Sequence, residues 1–93
     1  MGSVVCSIAR TPLGRFGGAF AALPAVRLGG VAIAAALDRA GLAPDGVDEV
    51  YFGHVIQAGA GQITARQAAV HGGIPMSVPA TTINKVCLSG MTA

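Results

Sequence analysis

Charge is what this sequence has least of. Only 11% of its 93 residues are Asp, Glu, Lys or Arg, against about 25% in an ordinary globular domain. Its net charge of +2 is small and its basic residues are scattered, so no nucleic-acid footprint is present. Aromatics are equally scarce, with three Phe, one Tyr and no Trp, which leaves no platform for stacking bases. No apolar run approaches the roughly 20 residues of a membrane span. No basic segment followed by an apolar stretch opens the chain, so no secretory leader is expected. The two cysteines, Cys6 and Cys87, stand far apart. They form neither a CxxC pair nor a disulfide framework, and a reducing cytoplasm is the default location. "GAGQIT" is not a dinucleotide fingerprint, and no P-loop occurs.

What is abundant is apolar: 53% of the chain is hydrophobic, with 14 glycines besides. Disordered segments are polar and charge-rich, so disorder is excluded. So few polar residues cannot coat a small domain's own surface. Part of the outside is expected to be covered by more chain or by another subunit.

Apolar periodicity divides the chain into alternating elements. "SVVCSIAR" (Ser3–Arg10) is short and rich in Val and Ile, the pattern of a buried strand, which places Cys6 in the core. Thr11-Pro12 stops it, and a glycine-rich loop runs to Pro24. From Ala25, the residues Val26, Gly29, Gly30, Ile33, Leu37 and Ala40 recur at helical spacing. Gly41 and Pro44 then punctuate the helix end. "DEVYFGHVIQ" predicts a second strand with Val50, Phe52, His54 and Ile56 on one face. "TARQAAVHGG" predicts a short helix with Thr64 and Gln67 as a capping box and Gly72 or Gly73 as its stop. "ATTINK" (Ala80–Lys85) predicts a third strand, with a helix starting near Cys87. The order strand, helix, strand, helix, strand, helix start implies an α/β layered fold with mostly parallel strands.

Among the side chains able to do chemistry, Cys87 has the most suggestive position. Backbone N–H groups at a helix N-terminus lack intrahelical partners and, with the helix dipole, favour a thiolate over a thiol. The same groups can stabilise an oxyanion on an attacked carbonyl. Ser89 and Gly90 are small enough for a substrate to approach, and Lys85 is a nearby positive charge. Spacing alone leaves a buried structural cysteine as the alternative, since free cysteine usually only packs. His54, on an apolar strand face, reads as a satisfied core or interface histidine. His71 ends a short helix, where positive charge suits the dipole. Neither has metal-ligand spacing, so no metal site is expected. Arg66 reads as structural or solvated, with a phosphate or a neighbouring subunit as its other partner.

Three collinear blocks carry a resemblance: "ARTPLGRFGG" (Ala9–Gly18), "GHVIQAGAGQITARQAA" (Gly53–Ala69) and "VPATTINKVCLSGMTA" (Val78–Ala93). Together they resemble the N-terminal part of the thiolases, the acetyl-CoA acetyltransferases and 3-ketoacyl-CoA thiolases. The resemblance implies an incomplete thiolase-like layered fold, a mixed sheet with packed helices. Residues 1–93 would form the N-terminal part of the thiolase N-terminal domain, in truncated form. It implies that Cys87 is the nucleophile that accepts an acyl group from acetyl-CoA or another acyl-CoA. That group would pass to acetyl-CoA in a Claisen condensation, or to coenzyme A after thiolytic cleavage. Coenzyme A thioesters are then substrates, and no cofactor is expected. A homodimer or homotetramer is implied for the full-length parent.

Two departures stand out. Leu88 follows the cysteine where the family often has glycine. The Gly-Asn-His-Pro, Asn-Glu-Ala-Phe and Cys-x-Gly-Gly-Gly segments that hold the family's remaining catalytic residues do not occur here. His54, His71 and Cys6 match none of them, and the fragment alone is expected to be inactive. A β-ketoacyl synthase also places a cysteine at such a junction, but "ARTPLGRFGG" and "QAGAGQ" favour the thiolases. A non-catalytic α/β module that binds a partner through apolar surface is the alternative of a different class.

Overall fold

The structure, a computed structural model, describes residues 2–93. Helix α1 (Ala25–Ala40) leads through a short 3-10 turn at Pro44–Gly46 into strand β1 (Val50–Gly53). Helix α2 (Thr64–His71), strand β2 (Ala80–Ile83) and helix α3 (Ser89–Thr92) follow. β1 and β2 pair in parallel, with Val50 opposite Ala80 and Gly53 opposite Ile83. A parallel pair needs a crossover, and α2 supplies it. The result is the mixed α/β arrangement expected.

Helix α1 ends as its sequence predicts. Gly41 takes the left-handed conformation (φ 65°) and its N–H donates to Asp38 O, while the Leu42 N–H donates to Leu37 O at 3.0 Å. These two bonds satisfy carbonyls that the helix leaves unpaired. Helix α2 does not start as predicted. Its N-cap is Ile63, left-handed at φ 46°, whose own side chain makes no capping bond. The Thr64 hydroxyl instead pairs with His54, and Gln67 donates to the Ala60 and Gln62 carbonyls. The Ala65 N–H finds its acceptor in Thr82 Oγ1 at 2.9 Å. A residue of the neighbouring strand therefore does the work of the expected capping box.

Two predicted strands are shorter than their apolar runs. β1 stops at Gly53. One further rung, from the His54 N–H to Ile83 O at 3.0 Å, extends the pairing, and Ile56 lies 81% exposed beyond it. β2 stops at Ile83 because Asn84 and Lys85 enter a turn. The predicted strand at Ser3–Arg10 is absent. That segment crosses α1, tied by the Ser7 hydroxyl to Ala36 O at 2.6 Å and by Arg39 Nη1 to Ile8 O at 2.8 Å. Val/Ile content favours an extended backbone, but a strand also needs a neighbour, and none is present among the described residues. Cys6 is accordingly exposed rather than in the core.

The core is built from small side chains. Val50, Ala69, Ile74 and Val78 form its centre, with Ile33, Leu37, Val47, Phe52 and Ala80 packed around it. α2 lies between α1 and the sheet, and its alanines 65, 68 and 69 are fully covered. The bulkiest side chain buried to that degree is Ser89. Larger apolar groups stay outside, among them Val4, Leu13, Phe16 and Met91, as the composition leads one to expect. Arg66 is structural: its guanidinium donates to Val78 O and, at 3.4 Å, to Pro75 O, holding the connector into β2.

α1 and α2 approach closely because Gly29 and Gly30 face α2. A Cβ at Gly30 would lie 2.4 Å from His71 Cβ, and one at Gly29 would lie 2.9 Å from the Phe52 ring. Gly72 meets Ile33 in the same seam, where an added Cβ would come within 2.5 Å of its Cγ2. Gly30→Ala should therefore force the helices apart and cost about 1–3 kcal/mol, the usual range for overpacking. Chemical denaturation checks this: an unchanged midpoint would mean the seam yields freely.

Candidate active site

Cys87 stands on a tight turn between β2 and α3, and its side chain is exposed. The turn is built by the two residues that bracket it. Asn84, just past β2, accepts the Val86 N–H on its Oδ1 at 3.0 Å and donates through Nδ2 to Val55 O at 3.0 Å. Ser89, the first residue of α3, is 2% exposed. Its hydroxyl accepts the Lys85 N–H at 2.8 Å and donates to Val86 O at 2.7 Å. Between them Val86 is left-handed, at φ 50°. A β-branched residue rarely adopts this conformation, and it persists only where surrounding bonds enforce it.

The turn projects the cysteine outward, with half-exposed Leu88 and well-exposed Val86 beside it. The Leu88 and Ser89 N–H groups bend back onto Lys85 O at 3.0 Å and Val86 O at 3.1 Å. Those two donors thus serve the turn and are not free for a substrate oxygen. The Lys85 backbone is part of the hydroxyl network, while its side chain is exposed.

The floor of the turn is Gly53, the last residue of β1. A Cβ there would fall 2.5 Å from both the Ser89 carbonyl carbon and the Gly90 nitrogen. Only a hydrogen fits between this strand and α3. His54 follows at once, half-buried, with Nδ1 and Thr64 Oγ1 2.8 Å apart. It is the satisfied histidine predicted, sharing a small cavity with Phe52, Gly53 and Ala68. His71 lies at the end of α2 over Gly30, and its exposed ring lines a hollow of about 520 Å³ with Arg27 and Gln67. A second hollow of about 620 Å³ lies under the Gly14–Ala21 loop. Cys87 lines neither of them. Among the described residues no group of His, Cys, Asp or Glu could hold a metal ion. No helix there is long and apolar enough to cross a membrane.

One titration is displaced. The Tyr51 O–H donates to the Glu49 carboxylate, and this bond, together with the carboxylate's charge, raises the phenol above its ordinary range. The pair is exposed and shares no group with the Cys87 turn.

Sequence reasoning located the cysteine and missed what holds it. Ser89 registered only as small, whereas its hydroxyl is the buried centre of the turn. The signal available was Asn84, two residues before Val86. Asparagine often bonds the backbone N–H two positions on, and so announces a turn.

Gly53→Ala should displace α3 and with it Cys87, costing about 1–3 kcal/mol of stability through overpacking. The variant is expected to lose reactivity at Cys87 along with stability. Full reactivity with an unchanged unfolding midpoint would count against the close contact.

Comparison with known proteins places these features in context. The family model described as the thiolase N-terminal domain matches residues 3–93. An acetyl-CoA acetyltransferase of Cupriavidus necator is 57% identical over 90 residues, covering 97% of this chain and 23% of the relative. The mitochondrial acetyl-CoA acetyltransferase of Xenopus tropicalis is 56% identical over 88 residues, covering 95% of this chain and 21% of its own length. The crystal structure of Acat5 thiolase from Ascaris suum in complex with coenzyme A superimposes with a TM-score of 0.91 at 41% identity, covering 95% of this chain and 23% of that one. The chain thus spans about a fifth of the length of the curated relatives it matches.

Proposed function

The chain belongs to the thiolase family, and from that premise we propose that it carries the acyl-accepting nucleophile of an acetyl-CoA acetyltransferase. The observation that carries this reading is the 50–57% identity to acetyl-CoA acetyltransferases over nearly the whole chain. Residues 1–93 are read as the N-terminal part of the N-terminal domain, with the acid–base groups supplied from outside these residues. The substrates are acetyl-CoA and other acyl-CoA thioesters, and no resident cofactor takes part.

The chemistry assigned to Cys87 is thioester exchange. Its sulfur, once deprotonated, attacks the thioester carbonyl. The new S–C bond forms as the bond to coenzyme A breaks, and coenzyme A leaves as a thiolate that takes up a proton. In condensation the acyl group then passes to the enolate of a second acetyl-CoA. In cleavage the sulfur instead attacks the 3-keto carbonyl of a 3-ketoacyl-CoA. The C2–C3 bond breaks, acetyl-CoA leaves as an enolate that takes up a proton, and the acyl group passes to coenzyme A. A covalent intermediate divides one difficult acyl transfer into two easier ones. Exposure of Cys87 at the apex of its turn supports this role, because the carbonyl must reach the sulfur within about 3–3.5 Å.

Brief incubation with acetyl-CoA or acetoacetyl-CoA should leave an acyl group on the full-length protein, detectable by intact mass. Cys87→Ser should abolish the uptake. Equal uptake by both proteins would overturn the assignment.

The full-length protein is further proposed to form a homodimer or homotetramer through β2. Thr82 is occupied inside the chain, by the Ala65 N–H, whereas Thr81 is exposed. Thr81 is thus the partner-facing position, and Thr81→Asp should weaken the assembly by burying an unpaired charge. Sedimentation of the full-length variant tests this, and an unchanged oligomer would remove β2 from the interface. A cytoplasmic location fits the free Cys6 and Cys87 thiols and a cytosolic relative in Gibberella zeae. Relatives include mitochondrial proteins too, so cell fractionation decides between the two compartments.

A further inference from the structure

We propose that Asn84 and Ser89 are positioning residues, a two-point clamp that keeps Val86 in its left-handed conformation and thereby sets the direction of the Cys87 sulfur. The inference rests on Cys87 being the acyl-accepting nucleophile and names what governs its efficiency.

The argument begins with a cost. Val86 has φ 50°, where its branched Cβ crowds the backbone. Nothing in the side chain of valine compensates, since it is 65% exposed and contributes no hydrogen bond. Left alone, the residue would return to an extended or right-handed conformation. Cys87 is the next residue, so that rotation would swing its side chain away from its present direction.

Both faces of the strained residue are held. On one side the Val86 N–H donates to Asn84 Oδ1 at 3.0 Å. On the other its carbonyl accepts from the Ser89 hydroxyl at 2.7 Å and from the Ser89 N–H at 3.1 Å. The anchors are themselves fixed. Asn84 Nδ2 donates to Val55 O at 3.0 Å, which ties the turn to the chain leaving β1. Ser89 is 2% exposed and lies above Gly53, whose missing side chain makes room for it. The buried hydroxyl accepts from the Lys85 N–H, and its single proton favours Val86 O at 2.7 Å over Asn84 Oδ1 at 3.4 Å, which bridges the two anchors. The clamp therefore couples the ends of both strands to the one dihedral that aims the sulfur.

The clamp touches neither substrate nor the reacting atoms. Its loss should slow chemistry and leave substrate binding largely intact. A displacement of about 1 Å at a reacting atom can cost up to roughly a hundredfold in rate. Ser89→Ala, which removes one anchor without adding bulk, should lower kcat for acyl transfer about tenfold while KM stays within about twofold. A loosened substrate pocket would instead raise KM.

The test uses the full-length enzyme and three variants: Ser89→Ala, Val86→Gly and the double variant. Glycine adopts φ 50° without strain, so Val86→Gly removes the cost that the clamp offsets. The expected result is a kcat loss in Ser89→Ala that is largely recovered in the double variant, with KM nearly constant throughout. Amide exchange at Lys85, whose N–H the Ser89 hydroxyl accepts, should quicken in Ser89→Ala. An unchanged kcat in Ser89→Ala, or a double variant slower than Ser89→Ala, would overturn the clamp. If wild type takes up no acyl group at Cys87, the functional reading fails by itself. The exchange measurement then still judges the clamp: quickened exchange at Lys85 upholds it and unchanged exchange refutes it.

Discussion

The arrangement depends on contacts made where side chains are missing. Gly30 brings α1 against the end of α2, and Gly53 brings β1 against α3. In each place the neighbour sits where a Cβ would be. Close approach gains dispersion contacts between backbones and excludes water from the seam. It also explains how a core with almost no large buried side chain can hold a sheet and helices in register. The alanines of α2 extend the same principle, since a small residue on a central helix allows packing on two sides.

The Gly53 seam lies directly under the candidate site. α3 is short, and its place is set by Gly53 below and by the Ser89 hydroxyl within. The left-handed Val86 is the residue left to absorb the mismatch between a strand that ends and a helix that must begin six residues on. An exposed thiol on a strained turn is costly to keep, and natural sequences retain such strain mainly at working sites. The turn is held from beneath by the buried Ser89 hydroxyl and from the exposed side by Asn84.

Legibility in the sequence followed the reach of the interaction. α1 was readable because its periodicity and its glycine stop are local, and the C-terminal bonds of Gly41 and Leu42 match them. The position of Cys87 between a strand and a helix was readable for the same reason. The start of α2 was not, because the acceptor for the Ala65 N–H comes from Thr82, on a strand not yet formed in any local window. Ser3–Arg10 misled in the opposite way. Its composition favours extension, but pairing is decided by distant residues, and here the segment is tied to α1 by Ser7 and Arg39 instead. Val86 was hidden by its own chemistry, since a β-branched residue argues against a left-handed turn and only the neighbouring asparagine argues for one.

The parallel register also orders events in time. Val50 and Ala80, which begin the two strands, are thirty residues apart in sequence. Bringing them together carries a loop-closure cost that no local contact repays, so parallel pairing is intrinsically slow. Helix α2 lies between the two strands in sequence and packs on both, so its condensation on either one shortens the path. The turn around Cys87 rests on the ends of both strands and can be ordered only after they have met. In the history of each folding molecule, the thiol is therefore among the last groups to reach its place. A nascent chain passes through its sticky, half-paired stages before it displays the Cys87 thiol on its turn.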